Sequence, residues 1–182
     1  MNAISVRPAT LADADGIGLV HVRSWQAAYR GKMPQSHLDR LDPARRAAGW
    51  RRLLRETDWS RGGLLVAAPE NGEGGIVGFA SFGPSRDGDT DPRVTGEVVT
   101  IYAAPDAWGM GAGRALMAGT VAELARLGYA DAILWVLDSN DRARRFYSIA
   151  GWEEDGAVKT DASLGFSLSE VRYRTVLRPA AC

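Results

Sequence analysis

Three glycines stand at alternate positions, Gly109, Gly111 and Gly113, immediately before a segment with the apolar spacing of an α-helix. Glycine in a helix interior costs about 1 kcal/mol relative to alanine, so glycines at this point need a compensating reason. Residues 94–105, just before them, are rich in β-branched side chains and predict a strand. A glycine turn between a strand and a helix exposes backbone N–H groups at the positive end of the helix dipole, which favours a bound phosphate.

Two common phosphate-binding motifs do not match this turn. A Walker loop ends in Gly-Lys-Ser/Thr, whereas Gly113 is followed by Arg114 and Ala115. A dinucleotide fingerprint needs a glycine at its sixth position, where Leu116 stands when counting starts at Gly111. The segment is therefore either a shorter phosphate-binding loop or a tight strand-to-helix connection that binds nothing.

The rest of the chain alternates strand and helix signals. Strands are predicted at residues 4–9, 64–68, 76–82, 94–105, 131–137 and 170–177, and helices at residues 10–31, 43–56, 111–127 and 139–150. Residues 153–167 have no clear pattern and are left unassigned. This order predicts an α/β sandwich with a parallel strand–helix–strand unit in residues 94–136. Without repeats or a linker, we expect one domain over residues 1–182.

Composition narrows the class of protein. The 182 residues have a formal net charge of +0, which suggests neither a nucleic-acid partner nor an acidic membrane. The longest apolar runs are too short to span a bilayer, and the N-terminus lacks the pattern of a secretory signal. The single cysteine, Cys182, allows no disulfide within the chain, and no residues have metal-ligand spacing. We therefore expect a cytoplasmic protein without a metal site.

Two segments resemble the motifs of the GNAT superfamily of acyl-CoA-dependent N-acetyltransferases. "EVVTIYAAPDAWGMGAGRALM" matches the family pattern of a strand, a proline and a Gln/Arg-x-x-Gly-x-Gly/Ala turn that opens a long helix. Gly111 and Gly113 fit this pattern, Arg114 follows as expected, and Trp108 stands where Gln or Arg is usual. "SNDRARRFYSIAGW" matches the second motif, and the resemblance is strong over residues 94–152.

The resemblance implies the GNAT fold, with a mixed central sheet, helices on both faces and a gap between the fourth and fifth strands. It implies acetyl-CoA as the co-substrate, with its pyrophosphate on the amides of the turn and its pantetheine arm along a bulged fourth strand. A tyrosine at the position of Tyr147 lies near the coenzyme sulfur in this family. The implied cofactor-binding residues are Ile101, Tyr102, Ala103, Gly109, Met110, Gly111, Ala112, Gly113, Arg114, Asn140 and Tyr147.

Acetyl transfer to an amine needs a base and an acid. An amine with a pKa of about 10.4 is almost fully protonated at neutral pH, and the leaving thiolate needs a proton. Glu97 is the candidate base: alternation along a strand places it with Val99 and Ile101, and its apolar neighbours would disfavour the charged form. The alternative is a solvent-facing glutamate.

Tyr147 is the candidate acid. It follows Asn140 by two helical turns, so both residues share one helix face, and Asn140 is also well placed to cap its helix. The alternative for Tyr147 is packing against Phe146 in the core. Arg144 and Arg145 are spaced either to reach coenzyme phosphates or to form an exposed face, and Asp141 and Arg145 stand at the spacing of an ion pair.

His21, Trp25 and Tyr29 form one stripe along the first helix. The stripe is either a wall of the acceptor pocket, since the family places its substrate against this helix, or a core face, which we favour for Trp25. Trp25, Tyr29 and Glu97 are the candidate acceptor-binding residues. Three aspartates between residues 85 and 93 either attract a cationic amine or are merely solvated: Asp87, Asp89 and Asp91.

These features predict an N-acetyltransferase that acts on the primary amine of a small molecule. Two N-terminal histidines and a terminal cysteine argue against a covalent acyl-enzyme, so we expect direct transfer within a ternary complex. One alternative is acetylation of protein N-termini or lysines, and another is a non-catalytic coenzyme A sensor. The resemblance also allows a homodimer, because dimers are frequent in the family.

Overall fold

The computed structural model describes residues 3–56, 58–71 and 74–177. Cys182 and residues 72–73 of the turn predicted between the second and third strands lie outside these ranges. The described elements are β1 (Ile4–Pro8), α1 (Ala14–Ala28), α2 (Gln35–Asp39), α3 (Pro43–Glu56), β2 (Gly63–Pro69), β3 (Gly78–Pro84), β4 (Thr95–Ala103), α4 (Ala112–Arg126), β5 (Asp131–Leu137), α5 (Asp141–Ile149), β6 (Glu153–Asp161) and β7 (Leu168–Val176), with 3₁₀ turns at Leu11–Asp13, Trp59–Arg61 and Pro105–Ala107.

The strands form one mixed sheet in the order β1-β2-β3-β4-β5-β7-β6. β4 and β5 are parallel, as predicted for residues 94–136, and the other neighbouring pairs are antiparallel. The predicted α/β architecture with a mixed sheet is confirmed.

β4 and β5 separate soon after they begin. They pair through Thr95, Gly96 and Glu97 of β4 only, and the rest of β4 has no partner in β5. The predicted gap between the fourth and fifth strands therefore opens directly after Glu97. Beyond that point the two strands leave room for another molecule to reach the backbone of β4.

A β-bulge in β4 changes which side chains share a face. Phe82 of β3 pairs with Val98 and Ser81 pairs with Thr100, so Val99 is the extra residue. Glu97 consequently lies on the same face as Thr100 and Tyr102. The prediction that Glu97 shares a face with Ile101 is wrong, because an inserted residue reverses the alternation, and Val99 is that inserted residue.

Helices cover both faces of the sheet. On one face, Phe79 and Tyr102 contact the ring of His21 in α1, and Phe79 also contacts Trp50 in α3. On the other face, α4 packs closely because glycines in the strands leave room for leucines such as Leu124. None of the helices in the described ranges combines the length and apolar character needed to cross a bilayer.

The structure adds two elements that sequence patterning missed. β6 forms within the unassigned segment as an edge strand that is exposed on most of its length, so it carries no apolar alternation. Gly156, with φ of 88°, lies where the pairing of β6 with β7 shifts register. α2 has five residues, which is too short for a periodic signal. The first predicted helix is also shorter than expected, since its first turn is 3₁₀ and α1 ends at Ala28.

The contact between α1 and α3 depends on Gly18. A Cβ atom there would lie 2.5 Å from the Pro43 carbonyl oxygen and 2.7 Å from the Ala47 nitrogen, whereas Gly49 in α3 has open space around it. Both positions lie inside helices, where alanine has a higher helix propensity than glycine, so this effect favours both substitutions equally. We expect Gly49→Ala to raise the free energy of unfolding by about 0.5–1 kcal/mol, and Gly18→Ala to lower it by about 1–3 kcal/mol through overpacking.

Chemical denaturation of both variants measures this difference. Equal stabilisation by the two substitutions would mean that the close approach of α1 to α3 at Gly18 does not constrain the fold.

Candidate active site

One groove of about 860 Å³ passes through the gap between β4 and β5 and is lined by residues from both faces of the sheet. Its wall on one face includes Tyr29 of α1 and Glu97 of β4. Its wall on the other face includes Gly111 beside α4 and Tyr147 of α5. Two molecules that enter from opposite faces can therefore meet inside the sheet.

The glycine turn has the conformation that a phosphate cradle requires. Gly109 and Gly111 have φ of 78° and 94°, which L-residues with a Cβ rarely adopt. An added Cβ would meet no protein atom within 4 Å at either position, and both residues line the groove together with Gly113 and Arg114. The turn is thus open on its groove side, and its amides precede the first residue of α4. These features fit a bound pyrophosphate.

The other two residues of the predicted turn are placed differently. Met110 is half-exposed and Ala112 is fully buried. Neither residue lines the groove, so their part in coenzyme binding stays a prediction.

The backbone of β4 offers hydrogen-bonding groups to the gap. Ala104 donates its N–H to Val77 of the β3 side, so by alternation the polar groups of Ile101 and Ala103 point away from β3. The Ala103 carbonyl oxygen accepts a bond of 2.8 Å from the Trp108 indole. Trp108, at the position where the family usually has Gln or Arg, therefore occupies one strand carbonyl and leaves the groups of Ile101 for a ligand.

Arginines line the groove near the glycine turn. Arg114, Arg142 and Arg145 line it. The Arg142 guanidinium stacks 3.4 Å from the centre of the Trp108 ring, and sequence reasoning did not single it out. Because α5 begins at Asp141, Arg142 lies in its first turn.

Arg144 has a structural role. It donates to the Asp138 carbonyl and to Glu154, at 2.9 and 2.7 Å, which ties α5 to β6. It is not part of the groove wall, whereas Arg145 is. The ion pair expected between Asp141 and Arg145 is not among those formed in the described part of the chain, so that prediction is wrong.

Tyr147 combines core packing with access to the groove. Its ring contacts Phe146 and Tyr173, and it is 8% exposed. Burial raises the pKa of the Tyr147 phenol, so the hydroxyl stays protonated at neutral pH. Asn140, in the groove wall, accepts a bond of 3.4 Å from the Ala143 amide, which confirms its predicted capping role.

Glu97 is buried, but its carboxylate is not in the apolar surroundings that the sequence predicts. Arg86 donates to it from Nε at 3.0 Å, from Nη2 at 2.6 Å and from its backbone nitrogen at 3.1 Å. The expectation of apolar surroundings is wrong, because the loop between β3 and β4 folds back and brings Arg86 onto Glu97. This bidentate pair fixes the orientation of the carboxylate at the mouth of the gap.

The acidic loop between β3 and β4 is occupied by arginines. The buried Arg172 of β7 donates to Asp87 and Asp89, each at 2.8 Å, and Asp91 pairs with Arg93 at 2.9 Å. Arg172 also holds Asp155 of β6 at 2.8 Å. The loop is thereby fastened to β7, and its carboxylates are not free to attract a cationic amine.

The stripe of His21, Trp25 and Tyr29 along α1 lies partly in the core and partly in the groove wall. The His21 ring is buried and stacks on Tyr102, its Nδ1 accepts a bond of 3.1 Å from Trp50, and burial lowers its pKa to about 4. Trp25 packs between His21 and Tyr29 and is not part of the groove wall. Tyr29 reaches the groove.

Four charged groups that line the groove on the side of Glu97 have no sequence signal that marks them. They are Arg86, Lys159, Asp161 and Glu170. Three of them lie on β6 and β7, whose pairing brings them beside the gap. Within the described residues no group of three His, Cys, Asp or Glu side chains has the geometry to hold a metal ion.

Comparison with known proteins agrees with this geometry. The acetyltransferase (GNAT) family model matches residues 23–152, which is more than half of the chain. The uncharacterized N-acetyltransferase YuaI of Bacillus subtilis is 34% identical over 138 residues, covering 75% of this chain and 73% of YuaI.

Two further proteins match in sequence or in structure. The mycothiol acetyltransferase of Propionibacterium freudenreichii is 36% identical over 105 residues, covering 57% of this chain and 31% of that longer protein. The structure of yncA from Salmonella typhimurium, described with its cofactor acetyl-CoA, has a TM-score of 0.66 and 25% identity and covers 100% of both chains. Because the family match spans the glycine turn and the strand that borders the gap, sequence and fold agree that this chain belongs to the GNAT family of acetyltransferases.

Proposed function

We propose that this protein transfers an acetyl group from acetyl-CoA to the primary amine of a small molecule, directly, within a ternary complex. The observation that carries the proposal is the groove through the sheet. It joins the glycine turn and Tyr147 on one face to Glu97 on the other. No enzyme nucleophile is needed when both substrates meet in one channel, because proximity alone makes the reaction effectively unimolecular.

The coenzyme end of the groove has the groups that acetyl-CoA needs. The amides of the turn and Arg114, Arg142 and Arg145 provide donors and positive charge for phosphates. The backbone groups of Ile101, which have no partner in β5 within the described part of the chain, can pair with an extended amide chain, as at a free strand edge. When bound, acetyl-CoA supplies an activated acetyl group and a thiol leaving group.

Glu97 acts as the base that removes a proton from the acceptor ammonium. An amine with a pKa of about 10.4 loses roughly 4–5 kcal/mol if it must deprotonate unaided at pH 7. Arg86 keeps the Glu97 carboxylate pointed at the gap, so the base does not have to reorganise before it acts.

Tyr147 donates to the sulfur of the leaving group. Its pKa lies above the ordinary value of about 10 for tyrosine, whereas an alkyl thiol such as that of cysteine titrates near 8.5. Full proton transfer from the phenol to a thiolate is therefore uphill. The main contribution of Tyr147 is a hydrogen bond that stabilises negative charge as it develops on sulfur.

The shape of the acceptor end favours a small molecule over a protein substrate. Beside Glu97 lies a recess of about 400 Å³, which suits a compact polar compound. The mycothiol acetyltransferase relative is also named for a small-molecule substrate. The single cysteine in the sequence supports a reducing compartment, and we place the reaction in the cytoplasm.

An acceptor screen tests the proposed reaction. Purified protein, acetyl-CoA and a broad panel of primary amines, peptides with free N-termini and lysine peptides are incubated with a thiol-detecting reagent. Acetylation of small amines supports the proposal, preferential acetylation of peptides favours a protein acetyltransferase, and coenzyme binding without any turnover favours a sensor.

Tyr147→Phe removes the hydroxyl and keeps the ring that contacts Phe146. We expect kcat to fall roughly 100-fold with little change in stability, because a donor to the developing charge is lost. Tyr129→Phe is the matched control, since that hydroxyl bonds the Arg61 carbonyl at 2.7 Å, and it should cost about 1 kcal/mol of stability while leaving kcat unchanged. Equal rates for Tyr147→Phe and wild type would exclude the donor role.

Glu97→Gln removes the base and keeps a side chain that can accept a bond from Arg86. We expect the pH–rate profile to move to higher pH, because the acceptor must then lose its proton without help. Glu123→Gln, which disrupts an exposed arginine pair of 2.8 Å on α4, should leave the profile unchanged. An unaltered profile for Glu97→Gln would remove Glu97 from the proton transfer.

Gly111→Ala places a Cβ on the groove side of the turn. Gly128→Ala is a matched control, because Gly128 follows the same helix with φ of 91° and also has nothing within 4 Å. Both substitutions should cost about 1–2 kcal/mol of stability through the left-handed backbone. Only Gly111→Ala should weaken coenzyme A binding, measured by calorimetry, and equal affinity in the two variants would contradict a phosphate site at the turn.

A further inference from the structure

The polar recess beside Glu97 borders the proposed catalytic machinery and shares Arg86 and Glu97 with it. It is lined by Arg86, Asp87, Glu97, Lys159, Thr160 and Asp161, all of them polar or charged. It adjoins the groove, because Arg86, Glu97, Lys159 and Asp161 line both. A substrate whose amine reaches Glu97 therefore has its remaining polar groups in or beside this recess.

Two ion pairs at the recess, Arg86–Glu97 and Lys159–Glu170, present their cations to the solvent, whereas the Arg172 partner of Asp87 is buried. The side chain of Arg86 is 66% exposed, whereas that of its partner Glu97 is 3% exposed. The side chain of Lys159 is 40% exposed, whereas that of its partner Glu170 is 20% exposed. At these two pairs, a ligand from the solvent meets the cation before the carboxylate.

The carboxylates at the recess already have partners. Glu97 is bonded by Arg86, Glu170 by Lys159 at 3.4 Å, and Asp87 by Arg172 at 2.8 Å. Asp161 accepts a bond of 2.8 Å from the backbone nitrogen of Ser163.

Arg86 and Lys159 both have hydrogen-bond donors that their carboxylate partners do not use. Arg86 uses Nε and Nη2 for Glu97, which leaves Nη1 without a bond among the described residues. Lys159 holds its ammonium 4.1 Å from the centre of the Trp135 ring, above the start of the gap. A planar guanidinium and an ammonium that line the same recess match the oxygens of a carboxylate or a phosphate.

We propose that the acceptor carries an anionic group close to its amine, and that Arg86 and Lys159 bind this group in the recess. The proposal rests on the proposed acetyl transfer to a small amine. Because one guanidinium contacts both Glu97 and the anion, only a few bonds separate the amine from the anion in the acceptor. This spacing selects α-amino acids or their phosphonate counterparts over simple amines and polyamines.

The test compares three acceptor series that share side chains: α-amino acids, the same compounds without the carboxylate, and the corresponding 1-aminoalkylphosphonates. We expect kcat/KM to be about tenfold or more higher for at least one anionic series than for the simple amines, mainly through KM. The better of the two anionic series identifies the group that the recess prefers. Equal or better use of the simple amines would overturn the proposal and leave the proposed acetyl transfer intact.

The Lys159→Gln variant provides a second test of the anion site. It should lower the ratio of kcat/KM for the anionic acceptor over its simple amine by about tenfold. Lys32→Gln removes the same charge from an exposed position outside the groove, and should leave the ratio unchanged. An unchanged ratio in Lys159→Gln would also overturn the proposal.

Calorimetric titration of the coenzyme A complex with carboxylates that lack the amine separates the two failures. Binding that Lys159→Gln abolishes, with no acceptor acetylated, would overturn the proposed acetyl transfer and keep the anion site. If the carboxylates do not bind and no acceptor is acetylated, both the anion site and the proposed acetyl transfer are overturned.

Discussion

The loss of pairing between β4 and β5 after Glu97 is the constraint on which the rest of the structure depends. A strand that loses its neighbour leaves backbone N–H and C=O groups that must find other partners. The bulge at Val99 lies just beyond the last β4 residue that pairs with β5, and the Trp108 indole satisfies the carbonyl of Ala103. The remaining groups face a groove that crosses the sheet, so one local interruption creates both a channel and a backbone surface for an extended ligand. A continuous sheet would have separated the glycine turn and Tyr147 on one face from Glu97 on the other.

Ion pairs hold the acceptor side of the channel in place. Arg172 is buried and would be costly there without partners, yet it binds Asp87, Asp89 and Asp155 at once. These bonds fasten the loop that follows β3 to the far half of the sheet. Arg86 lies next to Asp87 in that loop, so the same anchoring sets the position of the guanidinium that orients Glu97. The two halves of the sheet share few backbone hydrogen bonds at the gap, and these ion pairs provide a further connection between them.

Local patterns in the sequence were enough for much of the coenzyme side. The glycine turn, the proline before it and the β-branched segment ahead of that lie within about twenty residues, and their geometry depends on nearest neighbours. Local sequence also accounts for the positive φ of Gly109 and Gly111 and for the cap formed by Asn140. A backbone conformation or a helix cap involves only residues a few positions apart. The parallel unit formed by β4, α4 and β5 was likewise predicted, because its strands and helix have distinct periods.

The acceptor side was decided by tertiary structure. A single extra residue in β4 moved Glu97 to the opposite face from the one that alternation predicts, and no local pattern marks a bulge. Arg86, the partner of Glu97, lies eleven positions from it along the chain, and Lys159, the other cation of the recess, lies sixty-two positions from it. The strand that carries Lys159, β6, has no apolar signal because it is an exposed edge strand. The sequence by itself determined the turn, the helix that follows it and the family resemblance, because these rest on contacts within a few residues. Only the folded chain decided which charges meet at the gap, because that depends on strand register and on loops that meet across the sheet.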